Sequence, residues 1–268
     1  DATHPVVRSM SAVYWRGGDE RIERTLYRPQ YFDRIAAWGG GEAINNVIRY
    51  LGPGIQLVSF DPKTSISMIG PEGFASDAAI DEVAELAAAD LTLFNQDACS
   101  ASRFIFVEGE RAGIETFCER LLDRLALDRF SASEYGPPPP AEIRDEVETL
   151  SLMGDAQTWG KFDGRGMVVL TDEPVGFHPN NKTANVVHVK SLDDAVRYVN
   201  VATQTIGMYP PERKLAMRDK LASAGAQRVV RLGGASKYVE GGPHDAMFSL
   251  NRFVHWMSDE DAVSQAIY

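Results

Sequence analysis

Cysteine is scarce: the 268 residues hold two, Cys99 and Cys118. Two thiols build no disulfide framework, so a reducing, cytoplasmic setting is the expectation. Histidine numbers five, and no two candidate ligands stand at metal spacing, so no metal is expected. Lysine and arginine are outnumbered, 27 against 38 acidic residues, for a formal net charge of −11. The cations are scattered rather than gathered in a run, which argues against nucleic acid as a partner. A small phosphorylated ligand stays open, because a helix end and a few local cations suffice to bind one. No apolar run approaches the roughly 20 residues of a membrane span, and no signal-peptide pattern is visible. The opening Asp1-Ala2-Thr3-His4-Pro5 lacks an initiator methionine, so the chain is expected to be a fragment or a processed piece.

What is present is a chain 44% hydrophobic, enough for one large or two modest domains. Strand-like and helix-like stretches alternate. Ser11–Trp15, Gln56–Phe60, Ser65–Ile69, Arg103–Val107, Met167–Leu170, Asn185–Val189 and Val229–Leu232 read as strands. Glu42–Tyr50 reads as a helix between Gly39-Gly40-Gly41 and Gly52-Pro53-Gly54. Ser76 is a candidate N-cap for a helix with apolar residues at Ile80, Val83, Ala84, Ala87, Ala88 and Leu91, and Ile114 to Leu125 carries a second helical stripe. Pro137 to Pro140 forms an extended connector. Leu192–Ala202 and Glu212–Ala222 read as helices, the second stopped by Gly225. Strands separated by helices of this length predict an α/β architecture with a mostly parallel sheet.

The two cysteines differ in setting. Cys118 falls on an apolar helical face with Ile114, Leu121 and Leu122, where a thiol packs as a small hydrophobe. Cys99 lies between a helix and a strand in Phe94-Asn95-Gln96-Asp97-Ala98-Cys99-Ser100-Ala101. Its small neighbours leave room for a substrate and for backbone N–H groups to face a reacting oxygen. A half-buried loop cysteine and a nucleophile both fit this pattern.

The Cys99 stretch resembles the nucleophile segment of the aldehyde dehydrogenase superfamily, and among its members the acyl-CoA reductases of the bacterial luminescence (LuxC-like) type. Asp33 to Ile44, through Trp38-Gly39-Gly40-Gly41-Glu42, is similar to the strand–loop–helix that carries the pyrophosphate of a nicotinamide cofactor. Phe60-Asp61-Pro62-Lys63-Thr64-Ser65 resembles the entry to the catalytic domain, and Gly241-Gly242-Pro243-His244-Asp245 with Leu250 to Trp256 resembles the C-terminal signature. Only the loop of glycines is present, not the G-x-G-x-x-G fingerprint, so Rossmann logic does not carry over.

The resemblance implies an aldehyde dehydrogenase-like fold: residues 1–62 a C-terminal remnant of the cofactor-binding domain, 63–240 the catalytic domain and 241–268 a C-terminal segment. It implies reduction of a fatty acyl-CoA or acyl-protein thioester to an aldehyde through an acyl-Cys99 intermediate, with NADPH or NADH. His178 and His244 are the expected proton donors, and Trp38, Gly39, Gly40, Gly41 and Glu42 the expected cofactor contacts. His188 is expected to be structural, and no role attaches to His4 or His255. The general-base glutamate of the hydrolysing members is matched here by Ser59, with Asp61 the alternative in a shifted alignment; losing the base protects the acyl-enzyme from water. A long N-terminal half, with an oxyanion-hole asparagine, is expected as a partner, together with a homo-oligomer. The alternatives are a non-catalytic scaffold or interaction domain, a cysteine acyltransferase, or an aldehyde-oxidising dehydrogenase.

Overall fold

A computed structural model describes residues 3–260. Contacts divide the chain into two units, one formed by residues up to Pro62 together with the stretch from Ser249, the other by Lys63–Phe248. The segment expected to stand apart from 241 onward is thus divided at Phe248.

The first unit holds α1 (Pro5–Arg8), α2 (Glu20–Leu26), β1 (Arg34–Trp38), α3 (Gly41–Ile48) and β2 (Gln56–Phe60). β1 and β2 pair in parallel, Arg34 to Trp38 against Gln56 to Phe60. Arg34 is tied to the returning chain by donating to the Val254 carbonyl at 2.8 Å. Ser11–Trp15, expected as a strand, is irregular, with Val13 and Tyr14 exposed. Its β-forming residues pair with no ladder among the described residues, and an unpaired strand has nothing to hold it extended.

The second unit runs β3 (Thr64–Ile69), α4 (Asp77–Leu91), β4 (Ser102–Val107), α5 (Arg111–Leu125), α6 (Ala141–Met153), β5 (Gln157–Lys161), β6 (Gly166–Thr171), β7 (Thr183–His188), α7 (Leu192–Ala195), β8 (Thr203–Tyr209), α8 (Pro211–Ala224) and β9 (Arg228–Arg231). The seven strands lie in the order β5-β6-β7-β4-β3-β8-β9. Every pairing is parallel except β5 with β6. Both faces are covered, as a parallel sheet requires. On one side α4 and α5 lay down Ile80, Val83, Leu91, Ile114, Phe117 and Leu121 against Ile69, Ile105, Val168 and Val186. On the other, Leu192, Met217 and Leu221 pack on Ile66, Met68, Phe106, Val187 and Ile206.

Local chemistry sets the ends of these elements. Ser76 Oγ accepts from the Ala79 N–H at 3.2 Å and starts α4. Gly225, at φ +115°, closes α8 in the left-handed conformation that glycine adopts without a Cβ penalty. The helix expected over Leu192–Ala202 stops after α7 and one 3-10 turn to Tyr198. The Ala202 N–H is taken by Asn200 Oδ1 at 2.8 Å and the Asn200 N–H by Thr203 Oγ1 at 3.1 Å. Those side chains offer the backbone an alternative to helical bonds. β8, a central strand, follows where no strand was expected, and α6 follows the proline connector unannounced.

Candidate active site

The glycine loop belongs to the first unit. It leads from β1 into α3, with Trp38 stacked on Phe60 at 4.2 Å between centroids. Gly39 has φ +149°, and a Cβ there would meet the Ala43 Cβ at 3.0 Å, whereas Cβ atoms on Gly40 and Gly41 would stand in open space. Gly40 provides no side-chain cap, and Glu42 stands in the first turn. The first-turn amides therefore face outward over a surface clear of side chains, a shape that suits a phosphate group. Glu42 is a mismatch for that charge and suits a hydroxyl or amide instead. On β2, Ser59 pairs with Ala37.

Cys99 belongs to the second unit, at the amino ends of β3, β4 and β8. After α4 the chain turns through Phe94, Asn95 and Gln96 at φ 51°, 54° and 75°. Three successive non-glycine residues in the left-handed region cost about 1–2 kcal/mol each, so the surroundings must hold them there. Asn95 does so from one side, its Oδ1 accepting from the Ser133 N–H at 3.1 Å. Gln96, fully buried, pairs with Thr183 of β7: Oε1 accepts the Thr183 N–H at 3.0 Å and Nε2 donates to the Thr183 carbonyl at 2.8 Å. Arg103 completes the clamp by donating to the Gln96 and Pro179 carbonyls.

The thiol so presented is exposed. The Cys99 carbonyl accepts from Ser65 Oγ at 2.8 Å, and the Ala101 N–H closes a turn onto the Ala98 carbonyl at 3.0 Å. The backbone N–H groups of Cys99 and Ser100 meet no acceptor among the described residues. Gln204 Nε2 donates to Cys99 Sγ at 3.3 Å and to Asp245 Oδ1 at 2.7 Å. Burial lowers the Arg103 guanidinium from its ordinary value, while Asp97 and Cys99 draw it back up, so a buried cation bears on the thiol. The same unit holds an apolar cleft of about 230 Å³ lined by Ile66, Phe104, Phe106, Tyr198 and Thr203, among others.

The expected histidines divide. His178 is pushed below the ordinary histidine value, first by burial and then by the Arg103 charge. His244 reaches the Cys99 group through a neighbour, its Nδ1 lying 3.5 Å from Asp245 Oδ1. His188 bonds the Gly109 carbonyl at 3.0 Å, His4 Nδ1 accepts the Val6 N–H at 3.3 Å, and His255 meets Arg34 at 3.3 Å. Cys118 is buried, and desolvation pushes its thiol far up. No cluster of three or more histidine, cysteine or acidic side chains suited to a metal occurs among the described residues. Nor is any described helix long and apolar enough to cross a membrane. Sequence reasoning missed Gln204 and Asp245 as parts of the site. Asp245 lies in the Gly-Gly-Pro-His-Asp motif and so carried a signal, whereas Gln204 carried none.

A nucleophile-like cysteine before a strand of a mostly parallel sheet narrows the family, and the profile of the acyl-CoA reductase (LuxC) family matches residues 1–256. The chain belongs to the LuxC family. Among its curated relatives, the long-chain acyl-protein thioester reductase of Aliivibrio fischeri is 30% identical over 268 residues, covering 97% of this chain and 53% of the relative. That of Photorhabdus luminescens is 32% identical over 274 residues, covering 97% and 53%. This LuxC chain thus spans about half the length of the curated relatives it matches. Its fold is that of the aldehyde dehydrogenases. The NADP-dependent glyceraldehyde-3-phosphate dehydrogenase of Bacillus halodurans superposes with a TM-score of 0.59 at 14% identity, over 81% of this chain and 48% of the other. The NAD-dependent benzaldehyde dehydrogenase of Corynebacterium glutamicum gives 0.58 at 15%, over 80% and 49%.

Proposed function

We propose that this chain carries the nucleophile of a long-chain acyl thioester reductase and that Cys99 is that nucleophile. The observation that carries the reading is the exposed Cys99 sulfur, met by a buried amide donor and set in a loop of three left-handed residues. The Cys99 thiolate attacks the thioester carbonyl; the new S–C bond forms, the carrier thiolate leaves, and the acyl group stays on Cys99. The tetrahedral oxyanion is received by the Cys99 backbone N–H, with Ser100 beside it. His178, held below the ordinary histidine value by burial and the Arg103 charge, is assigned to accept a proton rather than to donate one. Arg103 favours negative charge on the sulfur.

The apolar cleft is assigned to the acyl chain and the acyl donor to a fatty acyl-CoA or an acyl-protein. Trp38 to Glu42, with the uncapped first turn of α3, is assigned to a nicotinamide dinucleotide, NADPH or NADH. When bound, that group supplies the hydride that turns the acyl group into an aldehyde. The serine at position 59 leaves no carboxylate there to activate water, so the acyl group persists for reduction. A cytoplasmic setting, a homo-oligomer and association with the remaining half of a full-length reductase belong to the same reading.

The experiment is to incubate the protein with radiolabelled long-chain acyl-CoA, with acetyl-CoA as competitor, and to map the label. Label on Cys99 that the short chain displaces poorly is the expected result. Absence of label, with the protein folded and its thiol free, overturns the reading in favour of a non-catalytic scaffold.

A further inference from the structure

Gln204 is 3% exposed on β8, and the Asp245 side chain is 5% exposed. One nitrogen, Gln204 Nε2, serves two acceptors: Asp245 Oδ1 at 2.7 Å and Cys99 Sγ at 3.3 Å. A carboxylate only accepts, so Asp245 dictates which end of the amide turns toward it. The other end, Gln204 Oε1, is buried with no donor among the described residues. Turning the amide over would set that oxygen against both the carboxylate and the sulfur, so the carboxylate fixes the orientation even though Oε1 meets no donor among the described residues. Asp245 is itself held, at φ 49°, in a turn closed by reciprocal His244–Met247 backbone bonds at 2.8 and 3.0 Å.

We propose that Asp245 and Gln204 are a positioning pair: the carboxylate locks the amide so that an N–H, not a carbonyl, faces Cys99 and holds the sulfur as an aimed thiolate. The inference rests on Cys99 as nucleophile. An N–H stabilises a thiolate, whereas a carbonyl would draw the proton of a thiol. Two effects of Asp245 therefore oppose. Its charge, acting through space, disfavours the thiolate. Its grip on Gln204 favours it. The other charged or titratable groups facing this corner are Arg103 and Asp97 from the segment leading into β4, His178 beside Arg103, and His244 beside Asp245. Arg103, Asp97 and His178 are untouched by changing Asp245 or Gln204. Asp245→Asn also takes the carboxylate away from His244, a change that persists without Gln204, so the Gln204 background separates it from the grip on the amide.

The test is the pH profile of Cys99 alkylation by iodoacetamide, with the modified peptide identified by mass spectrometry. Asp245→Asn frees the amide to turn, and the midpoint is expected to rise by about one unit, with alkylation at pH 7 slowed several-fold. Gln204→Leu should do the same, and the double variant should be no slower than Gln204→Leu alone. Should that variant unfold, Gln204→Met removes the donor at similar volume and serves as the same arm. A midpoint that falls or stays in Asp245→Asn, or a rise on Asp245→Asn that persists in the Gln204→Leu background, overturns the pair. Alkylation needs no acyl donor, so failure here leaves acyl transfer to its own labelling test, and failure there leaves this one standing.

Discussion

Cys99 and Cys118 are the same atom in two solvents. Cys118 sits in the α5 core among Ile114, Phe117 and Leu121, where desolvation keeps it protonated. In the full-length enzyme, Cys99→Ala should abolish acyl-enzyme and aldehyde while leaving the melting temperature nearly unchanged. Cys118→Ala should keep activity and lower stability by about 1–2 kcal/mol as a small cavity opens; denaturant unfolding beside a turnover assay reads both. Ser59→Glu restores a carboxylate and is expected to shift the partition of acyl-enzyme from aldehyde toward free acid, while an unchanged ratio in a folded variant would count against the alignment. The exposed loop setting of Cys99 was legible because its small neighbours are contiguous with it. Gln204 and Asp245 were not read as a pair: Gln204 stands 105 residues beyond Cys99 and Asp245 a further 41, and although Asp245 lies in a motif, nothing local to Gln204 announces the meeting.

At the scale of elements, the loop that carries Cys99 depends on a buried amide. Replacing Gln96 with Leu takes the amide donor from the Thr183 and Ser102 carbonyls, while the Thr183 N–H keeps the Asn180 carbonyl at 3.0 Å, and the cost is expected to be about 1–3 kcal/mol. Cys99 labelling should fall with it, and a variant as stable as the parent in urea would show that the clamp is dispensable. A second buried group gives α4 a pH response. Asp90 accepts the Gly233 and Ala235 N–H groups at 2.8 Å, and burial, only partly offset by those bonds and by Arg228, lifts it from 3.8 to about 6. The fold thus favours the neutral acid, so this stabilising contribution is complete below the ordinary carboxyl range and is lost as pH rises through about 6. The stability difference between the parent and Asp90→Asn should change by up to about 2–3 kcal/mol between pH 4 and 7, in that direction; a flat difference would refute it. Helices such as α4 and α5 were legible because their buried residues recur at the helical period. α6 was hidden by burying little more than Ile143 and Val147. β8 was hidden because Thr203, Gln204 and Thr205 are polar yet buried, and their hydrogen bonds come from distant parts of the chain.

For the whole molecule, the first unit offers two paired strands and one uncapped helix end, a portion of the surface a dinucleotide needs. The 268-residue chain is expected to bind NADPH or NADH no tighter than about 1 mM by calorimetry; micromolar binding would mean that this unit holds a complete site. The α/β architecture was legible from the alternation of periods, whereas the return of the stretch from Ser249 to the first unit was not, because pairing Arg34 with Val254 is a choice made across 220 residues. That pairing also has a consequence in time. A ribosome delivers the chain from its amino end, so β1 and β2 emerge long before the residues that complete their unit. The sheet from Lys63 to Phe248 has all its strands by then. It is free to fold first, as an uninterrupted length of chain, before the stretch from Ser249 joins β1 and β2.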